Sequence, residues 1–379
     1  MNKEAAYWIA LAHLPRWGHL KINNLIIKFY HENKLSIEEF FQLSENDWKN
    51  QYSVEYKEIE DLKKAKSELA NNAFLAESLS NEGYELIPIT SSEYSKILKE
   101  NLKAAHSPAL LYIKGNKKIL QEKSIAIVGS RNASEKSLKF TDNIARLASK
   151  EYKVVVSGFA KGVDKQALDS AINFKGQSII VLPQGIMTFG SGFKKYYKQI
   201  VDGDVLVLST FFPKAPWKAE LAMARNPIIY GLAAEIYVAE SSDKGGTWSG
   251  VVDGLRKNRK IYVRKPEPSE QTANNLLIQK GAIAVDFDGN PLIDYKPVIS
   301  ESNQLTINEQ AVDYEMKILD FLRTGEYAVK DILKKLQLSW SEKKLRDYLK
   351  SQKKVETINK KPLRFTMKDS TIKQKSLFD

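Results

Sequence analysis

The chain has 379 residues with 58 Lys/Arg against 46 Asp/Glu, and its net charge of +12 and pI near 9.3 favour a polyanionic partner such as nucleic acid. Its 43% hydrophobic content suffices for two or three packed domains, and the absence of cysteine excludes disulfides, iron–sulfur clusters and thiol chemistry. No stretch approaches the roughly 18 continuous apolar residues of a membrane span, and the opening MNKEAAYWIALAHLPRWG lacks the clean apolar run of a signal peptide, so no membrane partner and a cytoplasmic location are expected.

Residues 1–82 read as a helical module. Ala5, Ile9, Leu11 and Leu14 mark a first helix, stopped by Pro15 and Gly18, and Leu20, Ile22, Leu25, Ile26 and Phe29 mark a second. Ser36 followed by Glu39 has capping-box spacing, and one longer charged helix is expected from about Glu55 to Asn81. The module resembles the sterile-alpha-motif or helix-hairpin-helix kind, which implies contact with nucleic acid or a partner. No glycine-containing hairpin stands between the helices, and a purely structural cap stays open.

Residues 83–290 switch to apolar runs at 85–89, 109–115, 125–128, 154–156, 178–182, 204–208, 235–239, 260–263 and 282–285. Helical segments separate most of them, which predicts an α/β domain with a Rossmann-like, doubly wound, largely parallel sheet. Residues 291–308 read as a linker, 309–370 as three helices and a hairpin in winged-helix order, and 371–379 as a flexible tail. From Ser339 onward, twelve Lys/Arg face five Asp/Glu, the electrostatic footprint of a nucleic-acid groove, with protein contact as the other use of such a module.

The chemistry concentrates where two strands end in glycine turns. The run at 125–128 breaks at Gly129-Ser130-Arg131, and the run at 154–156 breaks at Ser157-Gly158, with Lys161-Gly162 close behind. A βαβ unit puts both turns on one sheet edge, where glycine lets backbone approach an anion and helix N-termini attract it. Arg131, Lys161, Lys194, Lys195 and Arg225 can neutralise successive phosphates, and Ser130 and Ser157 offer hydroxyls. Phe159, Phe193, Tyr196 and Trp248 are candidates for base stacking, with core packing favoured for Phe159 and Tyr196. Asp164 is expected to cap the next helix or to position Lys161.

Catalysis finds little support. His13, His19, His31 and His106 all precede the glycine turns and none stands at a zinc spacing. No GxSxG elbow is present, and neither Gly129-Ser130-Arg131 nor Lys244-Gly245-Gly246-Thr247 completes a Walker A pattern. The expectation is a phosphate-binding surface with no catalytic residue, no metal and no cofactor.

A series of motifs in order resembles the DNA-processing protein A (DprA/Smf) family. It comprises Val128-Gly129-Ser130-Arg131, Ser157-Gly158-Phe159-Ala160-Lys161-Gly162-Val163-Asp164, Val181-Leu182-Pro183-Gln184-Gly185, Arg225-Asn226 with Ile228-Ile229-Tyr230-Gly231-Leu232, Val238-Ala239-Glu240, Gly245-Gly246-Thr247, and the run from Asn275 to Ala282. The resemblance covers about 84–286 and implies single-stranded DNA binding, loading of a RecA-type recombinase in DNA uptake and recombination, and a homodimer. It adds Asn226, Gly245, Gly246 and Thr247 to the expected DNA site. Leu168 and Pro227 stand where the family usually has polar residues, as do Trp248 and Arg264-Lys265-Pro266 where it has other turns, so the chain reads as a divergent member.

Two other readings stay open. One is a nucleotide-sensing regulator with a duplex-binding winged helix. The other resembles the phosphoribohydrolases of the lysine-decarboxylase-like group, whose Gly-Thr turn is closely followed by a catalytic Glu that is absent after Thr247. Finally, Gln374, Leu377 and Phe378 resemble the short peptide by which bacterial proteins bind the replication sliding clamp, which implies a clamp partner.

Overall fold

The computed structural model describes residues 4–297, 318–336, 338, 340–352, 355–358 and 362–367. The expected linker beyond residue 297 and the tail residues Gln374, Leu377 and Phe378 lie outside the described residues. The chain divides into two compact units, 1–297 and 298–379.

In the first unit every apolar run of the core becomes a strand: β1 (Glu85–Pro88), β2 (Leu110–Lys114), β3 (Ser124–Val128), β4 (Val154–Ser157), β5 (Ser178–Val181), β6 (Val205–Ser209), β7 (Glu235–Val238), β8 (Lys260–Arg264) and β9 (Ile283–Val285). They form one sheet in the order β1-β2-β6-β5-β4-β3-β7-β8-β9. From β6 to β9 all neighbours are parallel, while β1–β2 and β2–β6 pair antiparallel. Strands β3 to β6 are buried along their whole length, as continuous Val/Ile runs are when both sheet faces are covered.

The head comprises α1 (Ala5–Ala12), α2 (His19–Ile26), a π-helical turn (Ile27–Glu32), α3 (Ile37–Gln42), α4 (Glu45–Asn50), α5 (Tyr56–Ser67) and α6 (Leu69–Asn81). Ser36 Oγ accepts from the Glu39 N–H at 3.2 Å while the Glu39 carboxylate accepts from the Ser36 N–H at 2.8 Å, the predicted capping box. The single long helix expected from Glu55 to Asn81 is two helices. Glu68 (φ −89°, ψ 4°) breaks it, and both halves pack on α1.

The head is not set apart from the sheet. Trp8, Leu11, Phe40 and Leu62 share one hydrophobic core with Tyr112, Leu168, Ile180 and Val207. Buried Asn23 donates to the carbonyls of Ala104 at 2.7 Å and Ser107 at 2.8 Å, tying α2 to α7 (Lys96–His106). Around the sheet follow α8 (Glu135–Lys150), α9 (Val163–Asn173), α10 (Gly190–Lys195), α11 (Tyr197–Val201), α12 (Ala219–Gly231), α13 (Gly245–Arg256) and α14 (Asn274–Gln279). None of the described helices is long and apolar enough to cross a membrane.

The second unit has helical residues 318–322, helices Val329–Lys335 and Glu342–Ser351, and a three-stranded antiparallel sheet of Tyr327–Ala328, Arg364–Met367 and Val355–Ile358 in that order. Ile318, Leu322, Ile332, Leu345 and Phe365 fill its core. The short strand Tyr327–Ala328 joins the two strands of the predicted hairpin.

Candidate functional site

After β3 the chain builds the sheet outward through β4, β5 and β6. It then returns to lay β7 on the other side of β3 and continues to β8 and β9. Loops leaving the carboxyl ends of β3 and β7 therefore diverge, and a crevice opens between them, the usual ligand position in an open α/β sheet. The Ser130 N–H donates to the Glu240 carbonyl at 2.9 Å, and Thr247 Oγ1 donates to the Gly129 carbonyl at 3.1 Å, so the two loops are fastened together.

A cleft of about 440 Å³ occupies this point. Of the predicted site residues it brings together Gly129, Ser130, Arg131, Arg225, Asn226, Gly245, Gly246 and Thr247. Asp164, Met223, Tyr230 and Lys244 also line it. Arg131 and Lys244 are exposed at its rim. Helix α13 starts at the cleft without a side-chain cap, so its first N–H groups and positive dipole end face the opening.

Arg225 is the unusual member. The sequence suggests a surface cation, yet the side chain, reaching in from α12, is 3% exposed. Its Nε and Nη1 have no hydrogen-bond partner among the described residues, and Nη1 lies 3.8 Å from Asp164 Oδ2. Burial pulls the guanidinium pKa down, opposed by the Asp164 charge. Asp164 is buried too. Burial pushes its carboxyl up, opposed by Arg225 and by the N–H groups of Gly158 and Ala160 that it accepts. Asp164 therefore neither positions Lys161 nor stands at the N-cap of α9, which is Gly162; it holds the 158–160 turn and faces Arg225.

The glycines are explained by close approach. A Cβ on Gly158 would stand 1.4 Å from Arg225 Nη1, so the glycine vacates the slot in which the guanidinium lies. Gly162 has φ +86°, and a Cβ there would meet the Ser130 carbonyl oxygen at 2.3 Å. Phe159, between them, holds a left-handed φ of 63°, with its ring edge-on to Phe189 at 5.0 Å and to Tyr196 at 5.7 Å. Phe159 and Tyr196 are thus packing residues.

The remaining predicted residues lie elsewhere. Ser157 is wholly buried and its hydroxyl donates to the Ile127 carbonyl at 2.7 Å, which corrects its reading as a phosphate ligand. Gly158 and Gly162 shape the turn without lining the cleft, and Lys161 and Lys194 are exposed outside it. Lys195 is held by Asp169 at 3.0 Å. Phe193 packs against Tyr84 and Phe189. Leu168 is fully buried under the head, and Pro227 lies exposed within α12, which continues to Gly231. Among the lining residues outside the predicted site, Lys244, a lysine preceding two glycines at a helix start, was a legible signal; Tyr230 stands in the motif run 228–232 without a site role; and Met223 gave no signal.

The model of the DNA recombination-mediator protein A family matches residues 85–293. The DNA processing protein DprA of Streptococcus pneumoniae (strain ATCC BAA-255 / R6) is 30% identical over 193 residues, covering 50% of this chain and 68% of the relative. That of Bacillus subtilis (strain 168) is 28% identical over 211 residues, covering 54% of this chain and 69% of the relative. The X-ray structure of the Streptococcus pneumoniae protein superposes with a TM-score of 0.57 at 24% identity, covering 74% of this chain and 93% of that one, a likeness of fold. Since the matched stretch takes in the whole sheet and both loops of the cleft, and is more than half of the chain, this protein belongs to the DNA recombination-mediator protein A (DprA/Smf) family of DNA-processing proteins.

Proposed function

We propose that the switch-point cleft holds the sugar–phosphate chain of single-stranded DNA, without base specificity and without chemistry of its own. The observation that carries this reading is the Arg225 guanidinium, buried in the wall of an open cleft with Asp164 Oδ2, 3.8 Å from its Nη1, as its acidic neighbour. A desolvated cation in the wall of a cleft favours an anion beside it, and a phosphate is such an anion. Arg131, Lys244 and the α13 N-terminus add positive potential at the mouth. A single strand bends into such a cleft; a duplex, stiff over about 150 base pairs, does not.

Two finer elements belong to the same reading. The second unit acts as a winged helix, with the lysine-bearing helix Glu342–Ser351 beside the hairpin Val355–Ile358 and Arg364–Met367 as an auxiliary nucleic-acid contact. Dimerisation and the loading of a RecA-type recombinase rest on the family relationship alone.

The test compares a single strand and its duplex across a salt series. A single-strand preference, lost when Arg131→Ala and Arg225→Ala are combined, is the expected result. Equal or stronger duplex binding that depends on residues 339–367 refutes it and favours the regulator reading.

A further inference from the structure

We infer that Trp217 is a base-stacking platform at the rim of the cleft, with Lys214 and Lys218 contacting the phosphates on either side. The inference rests on the single-strand reading and extends the site beyond its phosphate floor.

Tryptophan is the largest apolar side chain and is seldom left in water without a use. Trp217 is 55% exposed, and it makes no ring, cation–π or hydrogen-bond contact among the described residues. It stands two residues before Ala219, which lines the cleft, so its Cα is within about 7 Å of that wall along the chain. Met223, another exposed apolar side chain at 50%, lines the cleft six residues beyond Trp217 along the chain.

Lys214 and Lys218 are both exposed, and neither has a carboxylate partner among the described residues. Lysines on both sides of an exposed indole suit a polyanion that carries π-faces, and single-stranded nucleic acid is such a ligand. A protein partner with an apolar pocket would match the indole but not the paired cations.

The platform is also firmly based. The Gly185 N–H donates to the Ala215 carbonyl at 2.9 Å, and the Met187 N–H donates to the Pro213 carbonyl at 3.0 Å. A Cβ on Gly185 would stand 2.3 Å from the Phe212 carbonyl oxygen, so only glycine lets these two loops lie so close. Holding the segment in place before binding reduces the ordering cost of stacking.

The test uses the full chain, a base-bearing oligonucleotide and an abasic oligonucleotide of equal length, each titrated across a salt series. Trp217→Ala should weaken the base-bearing strand about tenfold, within the roughly 5- to 150-fold range of one lost stack. It should leave the abasic strand and the slope of log K against log salt unchanged, because stacking releases no counterions. Trp217→Phe should restore most of the affinity. Lys214→Ala and Lys218→Ala should each lower the slope by roughly 0.7 with both strands.

Unchanged affinity in Trp217→Ala, while Arg131→Ala still weakens binding, overturns the platform and leaves the cleft reading intact. Equal losses on both strands identify a disturbed loop and overturn it too. Failure of the unaltered protein to bind single strands overturns both readings together.

Discussion

Replacing Gly158 by alanine isolates the relation on which the cleft depends. The φ of Gly158 lies outside the left-handed region, so alanine is acceptable to the backbone and the effect is steric. The added Cβ would stand 1.4 Å from Arg225 Nη1, 2.3 Å from Cζ and 2.6 Å from Nη2. Restoring ordinary contact at about 3.5 Å requires the guanidinium to move by about 2 Å. Overpacking of this kind costs about 1–3 kcal/mol of stability. A displaced guanidinium also forfeits a charge-assisted bond of about 1.5–3 kcal/mol, or ten- to hundredfold in single-strand affinity. Denaturant midpoints and fluorescence anisotropy measure the two effects. The decisive comparison is a cycle with Arg225→Ala, in which the clash partner is gone and Gly158→Ala should be nearly silent. Additive losses, or a Gly158→Ala protein equal to the parent in both assays, would refute the slot.

Three further outcomes follow from the structure. Arg131→Ala, at an exposed rim position, should leave the unfolding midpoint unchanged and reduce the single-strand salt slope by roughly 0.7, read from anisotropy titrations. Burial holds the His13 imidazole down at about 4 against an ordinary 6.5, so stability is complete above 6.5 and is lost as pH falls toward 4, when the unfolded chain takes up the proton first. The loss should be about 2–3 kcal/mol and should flatten in His13→Gln, read from urea midpoints across that pH range. Ser36→Ala removes an acceptor and breaks a capping box, and urea unfolding should show about 1 kcal/mol less stability.

The strands were legible because Val/Ile runs bounded by glycine leave few alternatives. The antiparallel pairing of β1 and β2 at one edge was not, since strand direction leaves no mark on composition. The union of head and sheet escaped for a related reason: Leu168 and Ile180 look equally apolar whichever helix covers them. The break at Glu68 falls in a charged run with no Gly or Pro to announce it. At the site, the glycine turns pointed to the right edge of the sheet, and eight of the predicted residues line one cleft. Ser157 misled because a hydroxyl beside a turn reads the same whether it faces solvent or a carbonyl, and Arg225 because a guanidinium on a helix reads the same whether it faces solvent or a buried carboxylate. What distinguishes Arg225 is Gly158, remote in sequence, whose missing side chain defines the space the arginine fills.

The reversal of strand order at β3 also bears on how the protein is made. The wall after β3 ends near Arg131, while the opposing wall after β7 begins beyond Val238, so ribosomal synthesis delivers one side of the cleft long before the other. Until β7 docks, β3 is an open edge of four parallel strands rich in Val and Ile, a template for pairing with another chain. The binding competence of the cleft and the closing of that edge are therefore one event: a nascent molecule that has sealed this border has, by the same step, assembled its site.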